Sequence, residues 1–289
     1  MCGIAGLMSL DQSIPRKKIL NNLASKLRHR GPDGFGMHLS RDTGMIHRRL
    51  AVIDLKTGQQ PLSSKGLSLV ANAEIYNYLE LSEIFKKEKF KTKSDCECIL
   101  HLYNTYGLNF TKFLRGMYAL AIHDLEKNLL VLARDPFGIK PLYYLESSEY
   151  FSFSSEPRAL IDSGLTIPKI NSKKRDELLQ LQFTTGRETI FSGIKRVLPG
   201  EILVISRGKI IKRKRTASLP RKKTTNSNEG SILGKLGSVL EESVNIHQRS
   251  DVPFGMFFSG GIDSSVLLFL MSKITQKSVR AYTIGFSDT

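Results

Sequence analysis

Between Arg207 and Lys223 the chain reads RGKIIKRKRTASLPRKK, a density of cations that a protein interior does not accept unpaired. The turn-forming TTNSNEGS follows it without an apolar period. Such a stretch belongs at the surface, so the apolar residues on either side must build separate cores. The division predicted from it is a first domain over residues 1–207, a basic linker over 208–230, and the start of a second domain over 231–289.

Lys and Arg number 43 against 27 Asp and Glu, a formal charge of +16. That excess brings acidic partners, nucleotide phosphates or nucleic acid, into consideration. The basic stretch has no aromatic side chains for base stacking, and TASLP interrupts it, which disfavours nucleic-acid binding as the main function. The runs VLLFLM and FGMFF fall well short of the ~20 apolar residues that span a bilayer. At the start, MCGIAGLMSLDQSIPRKK lacks the charged-then-apolar order of a signal peptide. Cys2, Cys96 and Cys98 are an odd number and poorly spaced for a disulfide framework, which points to a reducing compartment. A cytoplasmic protein without a membrane partner is expected.

In the first domain LLVLAR, the stretch YFSFSS from Tyr150 to Ser155, and EILVIS read as short strands between turn signals. Helical patterns intervene. In SDCECILHLYNTYG, Ser94 is placed to cap and Glu97 to complete a capping box, with Ile99, Leu102 and Tyr106 on one face and Gly107 at the end. The mixture predicts an α+β fold. The C-x-C pair followed by His101 lacks the two-to-four-residue spacer of zinc-binding pairs, so Cys96 and Cys98 read as structural.

After the basic stretch, SILGKLGSVLEESVNIH reads as an amphipathic helix, VPFGMFF as a buried strand, DSSVLLFLMSKI as a helix and RAYTIGF as another strand. That order is βαβ. Within it, FFSGGIDSSV sets Ser259, Gly260 and Gly261 between a strand and a helix, where backbone N–H groups and the helix's positive end can receive a phosphate. No Gly-Lys-Ser/Thr follows, and G-x-G-x-x-G is absent, so neither the Walker loop nor the dinucleotide fingerprint applies. The pattern Ser-Gly-Gly-x-Asp-Ser resembles the pyrophosphate loop of ATP pyrophosphatases.

Cys2 stands directly behind the initiator methionine. Loss of Met1 would set its thiol beside a free α-amine, and groups titrating near ~8.5 and ~7.7 to 8.0 can exchange a proton at neutral pH without a histidine. Taken alone, the position also fits an inert residue at a strand start. MCGIAG, RHRGPDG, HRRLAVIDL, NAEIYN, SDCE, GMYALAIHD and ARDPFGIKPLYY nevertheless occur in the order found in N-terminal-nucleophile glutamine amidotransferases. With Ser-Gly-Gly-x-Asp-Ser after them, the set resembles the glutamine-hydrolysing asparagine synthetases along nearly the whole chain.

The resemblance implies a four-layer αββα sandwich in the first domain and the beginning of an α/β parallel-sheet domain in the second. It assigns Cys2 as the nucleophile that hydrolyses glutamine, and Asn72 with the N–H of Ala73 as oxyanion donors. Arg49 is implied as partner of the glutamine carboxylate, and Asp95 as partner of its ammonium. Glu74 matches a further glutamine-site position, while Arg30 and Gly31 match a loop over the substrate. Ala73 departs from the pattern, which has glycine there; if that position needs φ > 0, alanine is strained by ~1 kcal/mol and the oxyanion donor tilts away.

In the second domain the resemblance implies Ser259, Gly260, Gly261, Asp263 and Ser264 around the phosphates of ATP, with Mg²⁺ near Asp263 and backbone near Phe257 and Ile284 as candidates for adenine contact. No organic prosthetic group is implied. The reaction expected is ATP-dependent amidation of aspartate, by ammonia from glutamine, to asparagine, AMP and pyrophosphate, with the aspartate pocket past Thr289. The 289 residues alone are then not expected to complete the synthetase step. A related amidotransferase acting on another carboxylate is the alternative, and a homodimer is left open.

Overall fold

The computed structural model describes residues 1–219, 228–276 and 278–285. The chain divides into two compact units, Met1–Pro220 and Arg221–Thr289.

The first unit runs β1 (Gly3–Met8), α1 (Arg16–Lys26), β2 (Gly34–Leu39), β3 (Thr43–Arg49), β4 (Leu62–Ser64), β5 (Leu67–Ile75), α2 (Tyr78–Ile84) and α3 (Glu97–Tyr106). It continues with β6 (Gly116–Asp124), β7 (Leu129–Arg134), β8 (Tyr143–Glu146), β9 (Phe151–Ser154), α4 (Pro157–Asp162), α5 (Ser172–Leu181), β10 (Ile194–Arg196), β11 (Glu201–Ser206) and β12 (Lys209–Arg215). Two antiparallel six-stranded sheets result, in the orders β10-β8-β9-β1-β3-β2 and β12-β11-β7-β6-β5-β4.

Strand alternation sorts the apolar residues into three layers. Val70, Ala119, Ala121, Leu130 and Leu132 of one sheet meet Ile4, Met45, Phe151 and Phe153 of the other in the middle. Leu69, Ala71, Leu120 and Val131 point the opposite way, onto Ile99, Leu100 and Leu102 of α3. Ala5 and Ile46 pack on Leu20 and Leu23 of α1 and Leu160 of α4. Both faces of each sheet are therefore covered, which is why LLVLAR and EILVIS are continuous apolar runs rather than alternating ones. At about 1.5–3 kcal/mol per fully buried large apolar side chain, these layers supply the main drive for folding.

The predicted linker over 208–230 is corrected at both ends. Arg207 and Gly208, both with positive φ, form a two-residue hairpin turn, and Lys209–Arg215 pairs with β11 as an edge strand. Three of its cations are bonded within the chain: Arg213 Nη1 bonds the Tyr144 hydroxyl at 3.2 Å, Lys214 Nζ the Leu108 carbonyl at 3.1 Å and Asn109 Oδ1 at 2.7 Å, and Arg215 Nε the Pro199 carbonyl at 3.0 Å. Charge suits an edge strand, because it discourages pairing with other chains, so lysine density here marks a sheet border rather than a tether. Asn228 caps the next helix, accepting from Ser231 N–H at 2.8 Å, and residues 220–227 lie outside the described residues.

The helix predicted from SDCECILHLYNTYG forms, but the capping box does not. Ser94 Oγ accepts from Cys96 N–H at 3.2 Å, one residue short of the capping-box position, and the Glu97 carboxylate accepts from the Lys91 and Thr92 N–H groups, each at 2.7 Å, closing the preceding loop instead. Tyr106 is 40 % exposed and stacks on Phe113 rather than joining Ile99 and Leu102 inside.

In the second unit α6 (Glu229–His247), β13 (Met256–Phe257), α7 (Ile262–Thr275) and β14 (Ala281–Tyr282) form a βαβ element, with β13 and β14 parallel. The predicted strands are shorter than expected and are not buried: Phe257 is 82 % exposed, and Phe286 lies outside the described residues. Two residues per strand leave one small sheet whose faces only Val244, Leu270 and Met271 begin to cover.

Candidate active site

β1 and β3 pair with Gly3 opposite Arg48, so Cys2, one residue before the strand, arrives where β3 ends. Leu50 N–H donates to the half-buried Cys2 sulfur at 3.4 Å, and the Leu50 carbonyl is 3.5 Å from it. Arg30 holds the other side of this residue, its Nε donating to the Cys2 carbonyl at 3.0 Å and its Nη1 to Glu156 Oε1 at 2.9 Å. Arg30 Nη2 is buried without a partner.

The facing wall is the outer edge of β5. β4 covers that edge only at Leu67–Leu69. Farther along, Ala71 N–H donates to Gln60 Oε1 at 2.6 Å and Ile75 N–H to Asp95 Oδ2 at 2.8 Å. Every second N–H of a strand points the same way, so the Ala73 N–H projects between those two into the cleft. Ala73 sits mid-strand opposite Tyr118, and among the described residues positive φ outside glycine occurs at Asp54, Lys65, Asn128, Gln182, Arg207 and Gln276. The expected strain at Ala73 is therefore absent: the position is extended backbone, which alanine adopts freely. Asn72, on the opposite face of β5, is 2 % exposed, and its Nδ2 has no partner.

The cleft is lined by Cys2, His47, Arg49, Ala73, Glu74 and Asp95, together with Gln60, Cys96 and loop residues from Leu50 to Gly58. Arg49 is buried, and its Nη2 donates to the carbonyls of Ile53 and Asp54 at 3.1 and 2.5 Å. Both bidentate forks of a guanidinium include Nη2, so with Nη2 engaged Arg49 can offer a carboxylate only single donors, from Nε or Nη1. Burial raises Glu74 to about 7, the Asp95 charge adding to the effect, and raises Asp95 to about 6 against the opposing pull of Ile75 N–H. Burial also lifts the Cys2 thiol, while the Leu50 contact, the terminal amine and Lys140 work against it. A thiol held up in this way needs a base to ionise it.

Three predicted residues are not part of the cleft lining among the described residues: Asn72, buried on β5, and Arg30 and Gly31. Arg30 acts on the Cys2 backbone, and Gly31 packs against β3, where a Cβ would lie 2.4 Å from the Arg48 carbonyl and 2.5 Å from Arg49 N. Close approach, rather than substrate contact, accounts for glycine there. Asp33 likewise serves the turn, accepting from Ala51 N–H at 2.9 Å.

His47, Gln60 and Lys140 were not singled out from sequence. His47 is fully buried, donates from Nε2 to the Ala71 carbonyl at 3.2 Å and so ties the two sheets together behind the cleft; burial lowers it to about 3. Lys140 is 4 % exposed, in the fields of Glu74 and Cys2. Both lay inside quoted motifs, HRRLAVIDL and ARDPFGIKPLYY, but an isolated cation or imidazole carries no spacing signal. Cys96 and Cys98 are buried free thiols, and no group of three or more His, Cys, Asp and Glu able to hold a metal occurs among the described residues.

In the second unit the Ser259–Ser264 loop joins β13 to α7. Gly260 has φ +78°, a conformation that calls for glycine. Ser264 Oγ lies 3.2 Å from Ser259 Oγ and donates to the Gly261 carbonyl at 3.0 Å, and Asp263 occupies the first turn of α7. Phe257 and Ile284 are each 82 % exposed.

A family model described as a glutamine amidotransferase domain matches residues 1–216, and one described as asparagine synthase matches residues 235–289. Asparagine synthetase [glutamine-hydrolyzing] 1 of Bacillus subtilis is 34 % identical over 295 residues, covering 100 % of this chain and 46 % of the relative. A putative asparagine synthetase [glutamine-hydrolyzing] 2 of Methanocaldococcus jannaschii is 32 % identical, covering 99 % of this chain and 60 % of its own length. This chain spans about half the length of the first of these relatives. Among solved structures, the glutamine phosphoribosylpyrophosphate amidotransferase of B. subtilis matches with a TM-score of 0.53 at 20 % identity, over 98 % of this chain and 65 % of that one, a likeness of fold. The protein belongs to the glutamine amidotransferase family through residues 1–216 and is similar along its whole length to the glutamine-hydrolysing asparagine synthetases.

Proposed function

We propose that the first unit hydrolyses glutamine, with Cys2 as nucleophile. The observation that carries this reading is the convergence, at the cleft of Cys2, of a buried guanidinium, two carboxylates and an outward strand N–H. Once Met1 is removed, the α-amine belongs to Cys2 and stands in the surroundings now felt by the Met1 amine, among Arg30, Lys140 and Glu74. That amine takes the thiol proton, and the sulfur attacks the carboxamide carbon. The oxyanion formed is received by the Ala73 N–H and the free Nδ2 of Asn72, donors whose loss ordinarily costs about 3 kcal/mol of transition-state stabilisation. Collapse expels ammonia, which carries off the proton held by the amine, and leaves a glutamyl thioester that water cleaves to glutamate.

Arg49 binds the α-carboxylate of glutamine; Asp95 and Glu74 face its ammonium. The partners that follow are glutamine, ATP and aspartate. The second unit contributes the phosphate end of an ATP site: Ser259, Gly260 and Gly261 lead into the N-terminus of α7, whose positive end suits a phosphate, with Ser264 Oγ 3.2 Å from Ser259 Oγ. Asp263 supplies one carboxylate, which fits Mg²⁺ only together with the phosphates, the usual way that ion is held. The ammonia released is then used in an ATP-dependent amidation of aspartate by the whole synthetase. The basic strand β12 offers little to nucleic acid, since its arginines and Lys214 are bonded within the chain.

The reading is tested with Cys2→Ala. Glutamate release should fall to background in that variant, while ammonia supplied directly still supports synthesis in the whole enzyme; undiminished hydrolysis would remove Cys2 from the mechanism.

A further inference from the structure

A nucleophile at the very end of a chain has no strand pairing of its own to hold it, and chain ends fray unless tied down. Beyond the pairing of β1 with β3 and the Leu50 N–H at the sulfur, the ties come from one segment, Ser154 to Glu156. Ile4 N–H donates to Ser155 Oγ at 3.0 Å, and Ser155 N–H donates back to the Ile4 carbonyl at 2.8 Å. Cys2 itself is reached through Arg30, whose Nε holds the Cys2 carbonyl at 3.0 Å while its Nη1 is held by Glu156 Oε1 at 2.9 Å. His29 Nε2 lies 2.9 Å from the same oxygen.

The placement of Glu156 is informative on independent grounds. It occupies the N-cap of α4 with extended backbone angles, φ −133° and ψ 135°, from which an acidic side chain can accept the helix's first N–H groups. It makes no such bond. The carboxylate turns to Arg30 instead, whose side chain is only 10 % exposed, so the charged pair is largely shielded from water and its geometry is well defined.

We propose that Glu156 is a positioning residue for the Cys2 nucleophile: it fixes the Arg30 guanidinium, and Arg30 fixes the Cys2 carbonyl and so the place from which the sulfur attacks. The proposal rests on the reading of Cys2 as the glutaminase nucleophile. Without Glu156, Arg30 retains a buried guanidinium with both Nη atoms unpaired and is free to leave Cys2; displacements of about 1 Å in such sites cost up to about a hundredfold in rate.

The test uses the full chain and four variants, Glu156→Ala, Glu156→Gln, Arg30→Ala and the double variant that combines Glu156→Ala with Arg30→Ala. Two rates are measured in each: glutamine hydrolysis, resolved into kcat and KM, and alkylation of Cys2 by iodoacetamide followed by peptide mapping. Glu156→Ala should lower kcat by about tenfold to a hundredfold with KM changed less than about threefold. Glu156→Gln, which keeps an acceptor for Nη1, should recover most of the rate. Adding Glu156→Ala to Arg30→Ala should cost no more than Arg30→Ala alone, since the two act in series. A kcat and alkylation rate unmoved in Glu156→Ala, or fully additive losses, would overturn the positioning role while leaving the glutaminase reading intact. If the unaltered protein fails to hydrolyse glutamine, that reading falls, and the alkylation rates still decide whether Glu156 sets the reactivity of Cys2. Should Glu156→Ala not fold, Glu156→Asp, with the same charge and a shorter reach, carries the same comparison.

Discussion

Ala73 stands where the resemblance implies glycine, and alanine is harmless there for a local reason. It lies in an extended strand, its side chain on the helix side and its N–H turned to the cleft, so the glycine it replaces is not needed for φ. Ala73→Gly should therefore leave the glutamine-dependent rate within about twofold and cost about 0.5–1 kcal/mol in stability, as glycine does inside a strand; both are read from kcat/KM and a denaturant midpoint. Glu74 makes a pH prediction. Burial, with the Asp95 charge beside it, raises its carboxyl to about 7, and in the role proposed for Glu74 only the ionised form pairs with the glutamine ammonium. The kcat/KM for glutamine should rise with pH through that value, and Glu74→Gln should flatten the limb while lowering the plateau. Residue identities at this site were legible because they sit in ordered motifs. Their division of labour was not, since the packing role of Gly31 and the backbone role of Arg30 depend on where β3 ends in space.

At the scale of elements, apolar runs announced β7 and β11, because both faces of each sheet are covered, while β9 was announced by alternating phenylalanine and serine. β12 was hidden for the opposite reason: its solvent-side cations outnumber its two isoleucines, and a hairpin turn beginning with arginine lacks the usual Asn-Gly mark. The capping box of α3 failed because Glu97 satisfies the Lys91–Thr92 loop, a contact that no local rule anticipates. These elements meet tightly where Gly31 lies on β3. Gly31→Ala drives a methyl into backbone at Arg48 and Arg49, which cannot yield as a side chain would. A loss of about 1–3 kcal/mol is expected by thermal or denaturant unfolding, with glutamine KM raised because Arg49 moves with its strand.

Over the whole first unit, histidines join the two sheets, His47 and His123 buried and His38 partly buried. His38 Nε2 and His123 Nδ1 are 2.9 Å apart, and His47 bonds β5 from β3. Burial holds His38 down to about 4 and His47 to about 3. With folded values below the unfolded value near 6.5, the folded protein binds fewer protons in this window. Stability must fall as pH drops from about 6.5, at up to about 1.4 kcal/mol per pH unit for a fully buried group such as His47. Glu74 and Asp95, raised by burial, contribute in the opposite direction, losing stability as pH rises through their window. The histidine share is isolated by difference: the gap in unfolding free energy between the wild-type protein and His47→Gln should narrow from pH 7 to pH 4.

The proposed chemistry turns on one sulfur, that of Cys2. The measurement that tests it most directly is peptide mapping by mass spectrometry after treatment with an electrophilic glutamine analogue, with and without excess glutamine. The prediction is a single adduct on Cys2, now the first residue, protected by glutamine, with Cys96 and Cys98 unmodified because both are buried and burial raises their thiols well above the ordinary range. An adduct on either of those two cysteines, or a Cys2 that reacts equally in the presence of glutamine, would contradict it.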